Sequence, residues 1–161
     1  MNGQHWWQGK RGQWYVIVQG VLLALIVVSP QAGGQPAWAA PWSLLARGAG
    51  LLLMGAGAVL AGAGVLRLGD NLSPLPHPKE TAVLVESGVY SVVRHPIYAG
   101  LILGSFGWGL LTNSLWTLAL AAGLLVLFDF KAQREERQLA LKFPAYADYR
   151  RRVRKFVPFI Y

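Results

Sequence analysis

The residues with the most evident chemical potential form the string Arg94-His95-Pro96-Ile97-Tyr98, which joins a guanidinium, an imidazole and a phenol. Pro96 suits the first turn of a helix, because its missing N–H would have no partner there. His95 would then lie at the helix entrance, where unpaired N–H groups and the positive end of the helix dipole favour an anion. Arg94 adds a fork of donors for a carboxylate. The string predicts either a site for an anionic group or a set of anchors at a membrane surface.

A second polar cluster contains Glu135 and Glu136, which stand side by side in a chain with only seven acidic residues. Neighbouring helical residues point about 100° apart, so one carboxylate can turn toward a site while the other stays in solvent. Lys131 lies four residues before Glu135 and shares its face of a helix. The competing interpretation is a solvated, charged helix.

Four apolar runs must position these groups. Hydrophobic residues make up 54% of the chain and charged residues 14%, below the quarter that is usual in soluble proteins. A helix needs about 20 apolar residues to cross a bilayer, so only the second run spans one unaided and the others must recruit flanking residues. The sequence predicts an all-α integral membrane protein with about four transmembrane helices and a C-terminal cytoplasmic or interfacial helix. The runs are 14–29, 44–66, 97–111 and 115–128.

The positive charges predict how these helices are oriented. Lys10 and Arg11 precede the first run, three basic residues lie within 67–94, and nine Lys or Arg residues follow from position 131 onward. The loops 31–43 and 112–114 carry no charge. Basic segments are retained on the cytoplasmic side, so both termini are expected there, in a bacterial inner membrane. This retention also accounts for the net charge of +8, and no nucleic-acid partner is expected.

The N-terminus has an alternative interpretation as a signal peptide. Lys10-Arg11, the short first run and Ala37-Trp38-Ala39 fit the basic, apolar and cleavage regions of such a peptide. Cleavage would leave three spans and would place the new N-terminus on the opposite side of the membrane.

Glycines recur along the second run at an interval of seven residues, close to two helical turns. Such a stripe lets helices approach closely in lipid, within one chain or between chains, so the oligomeric state stays open. A nucleotide-binding loop is disfavoured, because Gly55-Ala56-Gly57 lies inside a span. The two series are Gly48, Gly55 and Gly62, and Gly50, Gly57 and Gly64.

Metal and thiol chemistry find little support in the sequence. The chain has no cysteine, which excludes disulfides, Cys-ligated zinc and thiol catalysis. His5, His77 and His95 have no spacing that suits a ligand set, so no metal is expected.

The tail contains a helix breaker and a basic run. Pro144 should end or kink the fourth helix. The basic run 150–155 follows, with apolar neighbours that suit an anionic leaflet.

Three motifs follow one another in the second half of the chain. Gly88-Val89-Tyr90 precedes the string 94–100, and the Glu135-Glu136 pair is followed by Leu139, Phe143, Tyr146 and Tyr149. In this combination they resemble the isoprenylcysteine carboxyl methyltransferase family and, more distantly, the phospholipid N-methyltransferases. The resemblance covers residues 67–158, and segment 71–76 is similar to the lead-in of short bacterial relatives.

The resemblance implies a methyltransferase that depends on S-adenosyl-L-methionine, is built from membrane helices and has no Rossmann domain. Arg94 and Lys131 are the expected catalytic residues, with Lys131 at the position that the family associates with substrate. Glu135 or Glu136 would fit the ammonium group of the cofactor, and Arg94 or the helix start would fit its carboxylate. The expected cofactor-binding residues are Ala82, Val83, Leu84, Val85, Tyr90, His95, Pro96, Ile97, Tyr98, Glu135 and Glu136.

The expected organisation is a two-helix membrane region, 1–66, followed by a methyltransferase core, 67–161. The resemblance favours O-methylation of a carboxylate on a lipid-like or prenyl-like acceptor, with amine and hydroxyl acceptors still open. A carboxylate needs no base. Two other functions stay open: a nicotinamide-dependent membrane reductase of related fold, and a non-enzymatic membrane protein that kept the fold. The last predicts that the clusters at 94–98 and Glu135 lie apart, whereas a methyltransferase requires them to meet.

Overall fold

The computed structural model describes residues 12–32, 37–76 and 79–158. Within these ranges no strand occurs, and one isolated parallel bridge joins Val93 to Arg154. The predicted all-α fold is confirmed. Lys10, Arg11, His5 and His77 lie outside the described residues. The helices are α1 (Gln13–Ala32), α2 (Trp42–Leu68), α3 (Pro96–Leu111), α4 (Leu115–Lys142) and α5 (Tyr146–Arg152), with short 3-10 turns at Gly69–Asn71 and Gly88–Ser91.

Three of these helices, α1, α2 and α4, are long and apolar enough to cross a membrane, and α3 is a shorter apolar helix of 16 residues. Their outward side chains are strongly exposed: Leu52 is 77% and Leu66 84% accessible. Contiguous apolar surface of this kind is rare on soluble proteins, and it suits contact with lipid. The chain is therefore an integral membrane protein.

Helix α1 continues beyond the end of the first apolar run, through Pro30 to Ala32. Pro30 has no N–H to donate to the carbonyl of Ile26. The hydroxyl of Ser29 lies 3.2 Å from that oxygen and donates to it, and also lies 2.7 Å from Thr117 Oγ1 of α4. The proline is therefore tolerated in the last turn, where its neighbour supplies the missing donor.

Helices α2 and α3 pack backbone to backbone along one of the two glycine series. Gly57 is buried, and a Cβ there would lie 2.5 Å from the carbonyl oxygen of Gly100. A Cβ at Gly50 would lie 2.6 Å from the carbonyl oxygen of Gly107. A Cβ at Gly64 would lie 2.9 Å from Ile97 and 3.1 Å from Pro96. The prediction of a packing stripe is confirmed for this series only. The glycines of the other series, Gly48, Gly55 and Gly62, face open space.

Helix α4 extends in one piece from the apolar run to Lys142 and carries both glutamates of the second polar cluster. Ser114 caps its start by accepting from Thr117 N at 3.3 Å. It ends at Lys142, two residues before Pro144, as the sequence predicts. It packs against α1 and α3, so helices from both sides of the predicted boundary at residue 66 contact each other. The division into two regions itself stays a prediction.

Candidate active site

The start of α3 is held in place from two sides. On one side, Gly64 of α2 packs against Pro96, the first residue of the helix. On the other side, the backbone N–H of Arg94 donates to Arg154 O at 2.8 Å, and that of His95 donates to Lys155 O at 3.1 Å. The basic tail is thus fastened to the helix entrance, and its backbone fixes where His95 lies.

The two adjacent glutamates of α4 face different surroundings. Glu135 accepts a 2.8 Å hydrogen bond from the hydroxyl of Tyr98, and its side chain is 28% exposed. The clusters at 94–98 and Glu135 therefore meet, as a methyltransferase requires. Glu136 is 3% exposed and lies 2.9 Å from Arg94 Nη2 and 3.1 Å from His95 Nε2. The expectation that one carboxylate stays in solvent is wrong, because the tail and the start of α3 cover Glu136.

A cavity of about 310 Å³ lies between the start of α3, α4 and the loop before α3, a size at the lower end for small-ligand sites. Eleven of the thirteen predicted site residues line it. Pro96 and Glu136 do not: Pro96 is buried against α2, and Glu136 faces a second cavity. The predicted residues that line the cavity are Ala82, Val83, Leu84, Val85, Tyr90, Arg94, His95, Ile97, Tyr98, Lys131 and Glu135.

The cavity wall at residues 82–85 is positioned by polar contacts with neighbouring segments. Val83 N donates to Asn71 Oδ1 at 2.9 Å. Lys142, at the end of α4, donates to the carbonyl of Glu80 at 2.6 Å and to that of Lys79. These hydrogen bonds, together with the packing of Leu84 against the cluster of Tyr146, Tyr149 and Val153, fix the apolar loop beside the end of α4.

Lys131 is a buried cation on the cavity wall, with a relative exposure of 1%. Its ammonium donates to Gln19 Oε1 of α1 at 2.6 Å and lies 5.0 Å from the ring centre of Tyr98, within the range of a cation–π contact. Among the described residues it makes no ion pair. A buried ammonium whose named neighbours are a neutral amide and an aromatic ring would be stabilised by an anion beside it.

Arg94 has its donors engaged by the protein itself. Nε and Nη2 hold Glu136 at 3.0 and 2.9 Å, and Nη1 donates to the carbonyls of Arg150 and Val153. In this conformation its side chain links the tail to α4 beside the cavity. Whether it also takes part in catalysis stays a prediction.

Tyr146 of α5 is a wall residue of the cavity that the site predictions omitted. Its ring is 1% exposed, and its hydroxyl has no hydrogen-bond partner among the described residues. Burial raises the pKa of Tyr146, and the nearby Glu136 adds to this effect, so the hydroxyl stays protonated and able to donate. The sequence signal that could have identified it is its position in the pair Tyr146 and Tyr149, which follows Glu136.

Tyr149 has its hydroxyl satisfied, in contrast to Tyr146. It donates to the carbonyl of Tyr90 at 2.6 Å and so ties α5 to the turn before α3. The remaining wall residues that sequence reasoning did not assign come from α1, the end of α2, the lead-in segment, α3 and α4: Gln19, Leu68, Asn71, Leu72, Ser73, Pro74, Leu75, Leu101 and Leu139.

The described residues contain no group of three or more His, Cys, Asp or Glu side chains that could hold a metal ion. The chain is thus an all-α integral membrane protein with a cavity at the polar end of its helices. The cavity wall is largely apolar and also carries a carboxylate, a buried ammonium and a phenol whose hydroxyl has no partner among the described residues.

Comparison with known proteins gives the family. The family model described as phospholipid methyltransferase matches residues 45–145, well over half of the chain. The chain belongs to this family, and the resemblance that the motifs indicated is confirmed.

Three relatives with assigned names are similar to the chain. The cobalt-zinc-cadmium resistance protein CzcN of Cupriavidus metallidurans is 35% identical over 149 residues, which cover 91% of this chain and 62% of that protein. The nickel-cobalt-cadmium resistance protein NccN of Alcaligenes xylosoxydans is 32% identical, covering 91% and 63%. Methanethiol S-methyltransferase 2 of Bradyrhizobium diazoefficiens is 41% identical over 73 residues, covering 44% and 27%. The chain thus spans about three fifths of the length of the first two relatives.

Proposed function

We propose that the protein transfers a methyl group from S-adenosyl-L-methionine to a lipid-like or membrane-delivered acceptor. The observation that carries the proposal is the meeting of the α3 entrance, the 82–85 loop and Glu135 around one cavity. Glu135 lies 37 positions after Tyr98, and a shared ligand would explain why this distant residue meets the other two segments. Membership in the phospholipid methyltransferase family supports the reaction type.

The wall residues fit the groups of this cofactor. The partly exposed carboxylate of Glu135 would hold the ammonium group. The hydroxyl of Tyr146 is a buried donor without a partner among the described residues, and burying it in that state is unfavourable unless a ligand oxygen or nitrogen accepts from it. The apolar wall from Ala82 to Val85 would face the adenosyl part. Bound in this way, the cofactor would supply an activated methyl group on its sulfonium.

The protein has three tasks in such a reaction: alignment of the acceptor, exclusion of water and neutralisation of acceptor charge. Lys131 is suited to the last task, because its buried ammonium would attract an anionic acceptor beside the cavity. An acceptor that is already anionic needs no base. We therefore favour a carboxylate as acceptor.

A thiolate is the second candidate acceptor, because it is likewise anionic. The similarity to a protein named for methanethiol S-methylation favours it.

The cavity opening would receive the acceptor from the bilayer.

The start of α3 and the ends of α2 and α4 lie at the same end of an antiparallel bundle, and most basic residues flank that end. We propose that this end is cytoplasmic, in a bacterial inner membrane, with both termini on that side. The predicted core, 67–161, would then hold the site and the region 1–66 would supply Gln19.

Calorimetric titration of S-adenosyl-L-methionine and S-adenosylhomocysteine into the detergent-purified chain tests the proposal. Glu135→Gln should weaken the affinity by at least about tenfold, since a hydrogen bond to a charged group is worth roughly 1.5–3 kcal/mol. The matched control is Asp148→Asn, which removes an exposed carboxylate of α5 and should leave the affinity unchanged. No binding to folded wild-type protein, in detergent or in nanodiscs, would refute the cofactor assignment.

A further inference from the structure

A second cavity, of about 470 Å³, lies on the other side of the Arg94–Glu136 pair. The pair separates it from the cavity proposed for the cofactor: Arg94 borders both, whereas Glu136 borders only the second. A ligand in the second cavity would therefore occupy a site of its own. The remaining wall residues are Gln133, Arg137, Arg150, Arg154 and Lys155.

The wall of this second cavity has an excess of positive charge, with five basic residues and one acidic residue. One of the basic residues, Lys155, is paired outside the wall with Asp129 at 2.6 Å. Arg94 and Glu136 neutralise each other at 2.9 Å, and Arg150 approaches the same carboxylate at 3.5 Å. The guanidinium groups of Arg137 and Arg154 make no hydrogen bond or ion pair within the described part of the chain. Two forked donors thus remain for a ligand, and such donors match the oxygens of a phosphate.

An apolar ridge leads from the membrane part of α4 to this cavity. Val126 and Phe130 are exposed by 54% and 57%. Gln133 and Arg137 follow at intervals of three and four residues, which keeps all four side chains on one face of the helix. A ligand with its anionic group at Arg137 could therefore lay a hydrocarbon chain along Phe130 and Val126.

We propose that the second cavity binds the headgroup of an anionic phospholipid of the surrounding bilayer. Arg137 and Arg154 hold its phosphate, and one acyl chain follows the ridge on α4. Cationic residues near the surface of an anionic leaflet each add to such attraction, and the cavity makes that attraction local and saturable.

The test is calorimetric titration of the detergent-purified full chain with dihexanoyl phosphatidylglycerol below its micellar concentration. We expect saturable binding, and binding at least tenfold weaker for glycerol phosphate and for dihexanoyl phosphatidylcholine. Glycerol phosphate that binds as tightly as the lipid would overturn the lipid assignment. Phosphatidylcholine that binds as tightly would overturn recognition of the anionic headgroup, as would the absence of any binding.

Matched variants locate the binding. Arg137→Gln and Arg154→Gln should each weaken phosphatidylglycerol binding by about tenfold, because each removes a charged donor. Arg151→Gln removes an exposed charge of α5 that does not line the cavity, and should leave binding unchanged. An equal loss in all three variants would reduce the effect to general surface charge and overturn the proposal. Arg154→Lys, which keeps the charge, should retain more affinity than Arg154→Gln, and unchanged circular dichroism would establish that the variants are folded.

Discussion

Different interactions stabilise the membrane part of this protein and its polar end. Between α2 and α3 the contact is backbone against backbone, as at Gly57 and Gly100. At the polar end the contact is between charges, as in the Arg94–Glu136 pair at 2.9 Å. In lipid, helices gain little from burying apolar surface against each other, so close fit decides their packing. At the surface, charges that leave water must be paired.

Glycines, which have no side chain, therefore set the distance between the membrane helices, whereas charged side chains fix the polar end. The glycines of α2 allow α3 to approach, and that approach places the α3 entrance beside α4. The contacts of Glu136 with Arg94 and His95 then fix the start of α3 against α4, and the cavity lies beside these contacts. Three pairs of matched variants can separate these contributions.

The largest expected effect comes from Glu136→Gln, which removes one partner of the buried charge cluster. It leaves the guanidinium of Arg94 without its counter-charge, so the free energy of unfolding should fall by about 3 kcal/mol or more. Asp148→Asn breaks an exposed pair with Arg151, whose atoms lie 3.7 Å apart, and should change it by less than about 1 kcal/mol. Titration with SDS in mixed micelles measures both. Similar values for the two variants would mean that the cluster does not secure the polar end.

Gly57→Ala tests the membrane part. The added methyl group would meet the Gly100 carbonyl at 2.5 Å, so the free energy of unfolding should fall by about 1–3 kcal/mol. The matched substitution Gly55→Ala faces open space and should raise it by up to about 1 kcal/mol, because alanine favours the helix. The same SDS titration distinguishes them. A loss at Gly55 as large as that at Gly57 would contradict the assignment of the packed series.

Tyr146→Phe and Tyr149→Phe should differ in which property they change, binding in the first and stability in the second. Tyr146 has no hydrogen bond to lose within the described residues, so its variant should keep the free energy of unfolding and should bind S-adenosyl-L-methionine several-fold more weakly. Tyr149→Phe leaves the carbonyl of Tyr90 without its donor, which should lower the free energy of unfolding by about 1–3 kcal/mol.

Calorimetry and SDS titration on both tyrosine variants make this comparison. Loss of stability in Tyr146→Phe with unchanged affinity for the cofactor would remove Tyr146 from the proposed site.

Much of the helical scaffold could be predicted from the sequence. The run 44–66 became α2, Trp42–Leu68, and the run that follows His95 became α3, Pro96–Leu111. These elements follow from two local properties, the length of the apolar runs and the position of Pro96. The site residues predicted from the motifs and the family resemblance likewise supply half of the residues that line the cavity.

Other features depend on which helix faces which. Both glycine series have the same spacing, and only the rotation of α2 against α3 buries Gly57 and exposes Gly55. The same holds on α4, where Glu135 faces the cavity and Glu136 faces the tail.

The sequence by itself thus determined the helices, the membrane character and the pair of polar motifs, because each rests on neighbouring residues and their solvent. Tertiary structure alone decided that Arg94 donates to Glu136 and that a basic cavity lies beside this pair. It also decided that the Tyr146 hydroxyl has no partner among the described residues. These features require the tail to return to the start of α3, a contact between residues about 60 positions apart. No local pattern encodes such a contact, since its free energy exists only once both segments are in place.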